Sequence, residues 1–297
     1  MKIAVLADIH GNLPALKAVL AEIKHENINY LLVAGDILGG PYPIEVLQIL
    51  IDHNTCMIQG NFEGYILKIY LNPSDSKWYT SKQWSPVFWV YKKLNLHWIR
   101  FINSLPKKKV ISIKGTEDIL MVHSIYNPLL PTDDSGILIT DKYYEIVDSY
   151  TKSIMQSVLI FAHNHVPWNQ KINGCLALNP GSVGSPLNGT IGAQYAIMEW
   201  NKDHWEAVIR TVHYCIDEIN NAFIKSGYLK EAGTIAKLIL YSINTGKDMV
   251  GMFLRFLDQL AHKEGYNDFE IVPDEILELA EEKWDWNKYR NEKEYFR

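Results

Sequence analysis

Cysteine is scarce in this chain. The three present, Cys56, Cys175 and Cys215, are odd in number and show no CxxC spacing. That excludes a disulfide framework and a thiolate-held zinc site. No apolar run approaches the roughly 20 residues that a bilayer-spanning helix needs. A basic stripe is also missing: residues 1–216 hold 18 acids and 18 bases, and the 16 acids and 11 bases that follow carry the formal charge of -5. Duplex DNA and anionic membranes therefore find little to grip, and no stable nucleic-acid or membrane partner is expected. Internal repeats and low-complexity linkers are absent as well. The chain opens on MKIAVLAD without the charged and apolar segments of a leader, so a reduced, cytoplasmic protein is expected.

What is present is a clear alternation. KIAVLAD reads as a buried strand, LPALKAVLAEIKH as an amphipathic helix, INYLLVAGD as a strand, PIEVLQILIDH as a helix and TCMIQGN as a strand. Short apolar runs separated by helix-period segments indicate parallel βαβ units. Pro14 and Pro43 fall near helix starts, where a missing N–H costs nothing.

The pattern changes over residues 62–108, which show no strand, carry Trp78, Trp84, Trp89 and Trp98, and read as an inserted helical cap. Strands return in KKVISIKG and EDILMVHS, a hairpin about Gly115-Thr116. A helix around 141–155 leads to SVLIFAHNH. CLALNP, AQYAIMEW and HWEAVIRTV then read as antiparallel strands. From about residue 215 the chain is helical: CIDEINNAFIKSG, LKEAGTIAKLILYSINTG and MVGMFLRFLDQLAHKEG each end on a glycine, and DEILELAEEKWDW predicts one more helix. The division expected is 1–212 for the main domain, with 62–108 inserted, and 213–297 for a C-terminal helical extension.

Five of the apolar strands stop at a group able to bind a divalent ion: Asp8 and His10, Asp36, Asn61, His123, and His163 with His165. Any one of these has a dull reading, as a helix cap or a satisfied polar side chain. An ordered set of seven does not. Asp8 and His10, two residues apart at a strand end, can grip one ion, to which His165 returns. Asn61, His123 and His163 serve a second ion, and Asp36 can place one oxygen on each. Mixed nitrogen and oxygen donors without thiolate suit manganese, iron, zinc, cobalt or nickel, with manganese the leading choice. Two such ions about 3.5–4 Å apart clamp a phosphoryl group and activate water near neutral pH.

These blocks resemble the calcineurin-like metallophosphoesterase superfamily, whose pattern runs DxH, GDxx, GNH(D/E), H, GHxH; the likeness spans roughly residues 1–212. It implies a four-layer α/β sandwich of two mixed sheets flanked by helices. It also implies a metal-dependent phosphoric ester or anhydride hydrolase with two ions on the seven ligands, and a catalytic role for Asp36, Asn61 and His123. DIHGN, GPYP, GNFE and the C-terminal helices look most like asymmetrical diadenosine tetraphosphate hydrolases. That narrower likeness implies a nucleotide or small phosphoester partner. Asn12, Phe62 and Glu63, with Asn179 and Ser182 of the NPGSVG loop, are the candidates for contact with it, and Glu63 is expected to orient a ligand. Lys68, Lys77, Lys82, Lys92 and Arg100 of the insertion are candidates for a polyphosphate chain. Phe62 stands where much of the family has a histidine that assists the leaving group, and Ala162 where glycine is common. The alternatives are a general phosphodiesterase or phosphatase and, in another class, a catalytically silent protein-binding scaffold on the same fold.

Overall fold

The first strand shows how the core is divided. Side chains alternate across β1 (Lys2–Leu6): Ile3 and Val5 enter one buried cluster and Ala4 and Leu6 another, as the two-residue period of a strand demands. A strand covered on both faces explains why KIAVL is apolar throughout. The computed structural model describes residues 1–74, 77–125, 143–267 and 271–286. After β1 come α1 (Leu13–Ile23), β2 (Tyr30–Val33), α2 (Pro43–Asp52) and β3 (Cys56–Met57). β1, β2 and β3 pair in parallel, as the alternation predicts.

The segment read as an insertion is helical: α3 (Asn61–Leu71), α4 (Lys77–Thr80), a 3-10 turn at Lys82–Trp84, α5 (Ser85–Lys93) and α6 (Leu96–Ser104). Ile66, Trp89 and Ile102 belong to the same buried cluster as β1, α1 and α2, so these helices thicken the outer layer of the first sheet. The hairpin of β4 (Lys108–Ile111) and β5 (Ile119–Val122) follows. Next come α7 (Tyr143–Thr151), β6 (Val158–Ile160), β7 (Trp168–Ile172), β8 (Cys175–Asn179), β9 (Ala193–Asn201) and β10 (His204–Val212). The helices α8 (Ile216–Lys225), α9 (Tyr228–Glu231), α10 (Gly233–Thr245), α11 (Met249–Lys263) and α12 (Asp274–Lys283) complete the described chain.

Two five-stranded mixed sheets result, ordered β10-β9-β1-β2-β3 and β4-β5-β6-β8-β7. Ile3, Val5 and Leu32 of the first meet Met121, Ile160 and Leu178 of the second in the central core. Helices cover the outer face of the first sheet. α7, through Tyr143 and Val147, packs with Leu120, Leu159 and Phe161 on the outer face of the second. This is the four-layer sandwich.

Three readings need correction. CLALN does not pair with AQYAIMEW: β8 lies in the second sheet, parallel to β6 and antiparallel to β7. β7, WNQKI, escaped notice because an edge strand with exposed Gln170 and Lys171 lacks a buried-strand pattern. LKEAGTIAKLILYSINTG is not one helix, since Gly233 at φ 58° separates α9 from α10. The first two residues of the helix expected at 141–155, and the terminal charged segment beyond 286, lie outside the described residues.

The C-terminal helices have a core of their own, with Leu238, Phe253, Leu257 and Leu277, and they lock onto the insertion. Trp89 meets Tyr228 edge to face at 4.9 Å, Lys92 pairs with Glu231 at 2.9 Å, and Lys82 pairs with Glu278. Among the described residues, no helix is long and apolar enough to cross a membrane.

Candidate functional site

Parallel pairing puts the carboxyl ends of β1, β2 and β3 on one edge, and that edge meets the carboxyl ends of β5 and β6 across the central core. Asp8, Asp36, Asn61, His123 and His163 follow those strand ends. Seven side chains far apart in the sequence therefore converge. Ligand atoms of Asp8, His10 and His165 lie within 4.8 Å of one another, and so do those of Asp36, His123 and His163. The two groups adjoin: Asp36 Oδ2 is 3.6 Å from His10 Nε2 and 3.5 Å from His123 Nε2. Asn61 Oδ1 lies 2.8 Å from His123 Nε2 and 2.9 Å from His163 Nδ1.

Reaching this arrangement strains the backbone. Asp8, His10, Asp36, His163 and His165 all have φ between 47° and 79°, the left-handed region that costs L-residues energy and that is tolerated mainly where function over-determines it. These tight turns aim successive side chains inward. Gly60 serves the same end, because any Cβ there would collide with the Asp36 side chain and backbone.

Hydrogen bonds then set the tautomers. His123 Nδ1 lies 2.7 Å from the Ala34 carbonyl and His165 Nδ1 lies 2.6 Å from the Ser185 carbonyl. Each nitrogen donates there, which turns Nε2 toward the cluster, as metal-ligating histidines are held. Sequence reading could not find these anchors, because a backbone oxygen carries no residue signature.

The electrostatics call for cations. Burial pushes the Asp8 carboxyl well above its ordinary value, against the pull of His123. Burial also works against the Asp36 anion, but His123 and His10 outweigh it and hold that carboxyl low. On His123 burial acts downward, yet Asp36 and Asp8 bring it up to about 10. Burial lowers His163 to about 4 and His165 to about 3, so both are neutral imidazoles near pH 7. Asp8 Oδ1, fully buried, has no hydrogen-bond partner. An orphaned carboxyl oxygen, the neutral imidazoles of His163 and His165, and a donor set of oxygen and nitrogen fit two divalent ions.

Of the five residues expected near substrate, four hold the loops from behind. Asn12 donates to the Gly184 carbonyl and the Tyr214 hydroxyl at 2.9 and 2.8 Å, and it accepts from Ala15 N–H. Asn179 donates to Asn164 at 2.8 Å and accepts from Gly181 N–H. Ser182 donates to the Asp8 carbonyl at 2.8 Å. Their polar atoms are spent within the protein. Phe62 differs: its ring meets His10 edge-on at 6.0 Å. Of the insertion's cations, Lys82 and Lys92 are paired with acids of the C-terminal helices, and Lys68 sits over the Trp78 ring at 4.3 Å. The Lys77 side chain lies outside the described residues.

Glu63 ties the site together. It is fully buried and accepts the backbone N–H groups of Asp36, Leu38 and Gly60 at 3.1, 2.9 and 2.8 Å. Burial and the neighbouring Asp36 push its carboxyl up to about 7 despite those donors. In Glu63→Gln an amide NH₂ replaces one acceptor and faces a backbone donor. The expected outcome is a loss of roughly 1–3 kcal/mol in thermal unfolding and of about 10–100-fold in metal affinity by calorimetric titration. Unchanged metal affinity would show that Glu63 does not position Asp36.

The sequence profile of the calcineurin-like phosphoesterase superfamily domain matches residues 1–203. An uncharacterized protein of Methanocaldococcus jannaschii is 30% identical over 241 residues, 75% of this chain and 92% of that protein. A hypothetical protein of Pyrococcus horikoshii aligns in structure with a TM-score of 0.63 at 23% identity, over 82% of this chain and 98% of its own. A metallophosphoesterase from Sphaerobacter thermophilus aligns with a TM-score of 0.58 at 22% identity, over 80% and 99%. At that identity the two structures speak to the shared sandwich alone.

Proposed function

We propose that this chain, which belongs to the calcineurin-like phosphoesterase superfamily, hydrolyses a nucleotide phosphoanhydride or phosphodiester, with a diadenosine-tetraphosphate-like molecule as the leading substrate. The observation that carries the reading is the pair of adjoining His/Asp clusters, linked through Asp36. Asp8, His10 and His165 would hold one divalent ion, Asp36, His123 and His163 the other, and Asn61 would add a neutral oxygen. When bound, such a pair supplies Lewis-acid contact to phosphate oxygens and a water of lowered pKa.

The chain's own residues set the conditions for that chemistry. Asp36 lies between the clusters and balances positive charge on both sides. His123 and His165, locked by carbonyls, hold their Nε2 atoms at fixed angles. Asn61, between two imidazoles, orients without adding charge. Phe62 supplies no proton to a leaving group, which matters little for a nucleotide phosphate and much for a simple alkoxide. This favours anhydrides over alkyl phosphates. A silent scaffold could shed ligands freely, whereas here the set of seven is complete.

Product analysis with Mn²⁺ and diadenosine tetraphosphate tests the substrate. ATP plus AMP is the expected result, from asymmetric attack. Two ADP would mean symmetric attack. No turnover beside good activity on bis-p-nitrophenyl phosphate would sink the dinucleotide assignment and leave a general phosphodiesterase.

A further inference from the structure

α8 packs against the first turn of α1 but does not fill the space between them. A cavity of about 460 Å³ remains, bounded by α1, the start of α2 and α8. That volume lies within the roughly 300–1,000 Å³ of small-molecule sites. Lys17 lines it from α1, Tyr42 from the start of α2, and Glu218, Asn221 and Lys225 from α8. The last three share one helix face. Among the described residues, Lys17, Glu218, Asn221 and Lys225 make no side-chain hydrogen bond or ion pair. Two cations against one carboxylate leave the cavity net positive, in a chain whose formal charge is -5.

The cavity wall is tied by short lengths of chain to the loops that carry the ligand cluster. α1 and α2 begin where β1 and β2 end, so their first turns share the carboxyl edge of the first sheet with the metal ligands. Leu13, on the cavity wall, is three residues from His10, so their Cα atoms are at most about 11 Å apart. The Tyr42 N–H donates to the Gly11 carbonyl at 3.3 Å, tying that wall to the loop that carries His10.

We propose that this cleft is the subsite for the remote nucleoside-phosphate arm of the substrate. Lys17 and Lys225 meet its phosphate oxygens, the Tyr42 ring meets its base, and Asn221 with Glu218 takes ribose hydroxyls or base amino groups. The proposal rests on the phosphoester reading above and gives α8 a task. The family profile ends at residue 203, so half of this subsite comes from beyond the matched region.

Kinetics of the Mn²⁺-loaded protein on two substrates test it. Diadenosine tetraphosphate has a remote arm; bis-p-nitrophenyl phosphate has none. Lys17 and Lys225 are exposed, so reversing their charge leaves the core intact. In a Lys17→Glu/Lys225→Glu double variant, KM for the dinucleotide is expected to rise about 30-fold or more, as two charge-assisted contacts become repulsive. Its kcat and both constants for the small diester stay unchanged, and Lys17→Arg/Lys225→Arg restores the KM. Equal loss on both substrates, or loss on neither, overturns the subsite. If the unaltered protein turns over only the small diester, it is the nucleotide reading that fails. The cleft is then judged by ADP binding in calorimetry: affinity lost in the double variant keeps the subsite, and equal affinity removes it.

Discussion

Asp36→Asn is expected to lower phosphoesterase kcat by about 10³-fold or more and to remove at least one of two bound ions. The substitution keeps the shape. Asp36 is 2% exposed, and its Oδ1 accepts the Phe62 N–H at 2.8 Å, a bond the amide oxygen can still take. What changes is Oδ2, which faces His10 on one side and His123 on the other. An amide turned that way points N–H groups at the place where cations would sit. Charge stabilisation of a phosphoryl transition state by bound ions is worth several kcal/mol, and each 1.36 kcal/mol is a factor of ten, hence the magnitude. The metal-free variant should unfold earlier than the parent, because the buried His123 loses the carboxylate that balances its charge. Elemental analysis and steady-state kinetics check this together. Two ions bound with full activity would refute the shared-carboxylate mechanism.

The second large effect is a gain. Phe62→His is expected to raise kcat/KM on alkyl phosphates by about 10²-fold while changing the dinucleotide and aryl reactions little. Phe62 opens α3 next to Asn61, and its ring reaches the His10 edge, so an imidazole there stands beside the ligand cluster. General acid assistance is worth about 10²–10⁴-fold where the leaving group is basic, and aryl or nucleotide phosphate leaving groups need it least. The gain has a cost. Phe62 is buried in the outer core, and losing that apolar area takes roughly 1–3 kcal/mol from stability. The measured quantity is the ratio of alkyl to aryl turnover. A ratio that does not move would mean that residue 62 is too far from the leaving group to choose substrates.

The two substitutions probe features of different legibility. Asp36 stood out in LLVAGD because an apolar strand that stops at a carboxylate is a local pattern. The β1–β3 alternation was equally plain, since the strands are buried on both faces and the helices on one. β7 was not, because an exposed edge strand has no period to betray it. β8 was assigned to the wrong neighbours, since a buried run such as CLALN can pair with any partner of suitable register. The break at Gly233 was invisible in a segment otherwise rich in helix formers.

Asn12, Asn179 and Ser182 acquire partners that no sequence pattern announces. Polar residues in motif-like loops suggested contact with substrate, yet only the folded chain shows their hydrogen bonds spent on Gly184, Asn164 and the Asp8 carbonyl. Lys82 and Lys92 looked available until the C-terminal helices supplied their acids.

The sequence by itself pointed to the candidate ligands, their order and their grouping, because donor chemistry and strand ends are local properties. Only the tertiary structure decided how Glu63 and the Ala34 and Ser185 carbonyls hold them, and that α8 leaves a cationic cleft against α1. Those follow from contacts between distant segments, such as Asn12 with Tyr214, 202 residues apart, and no local pattern encodes such contacts.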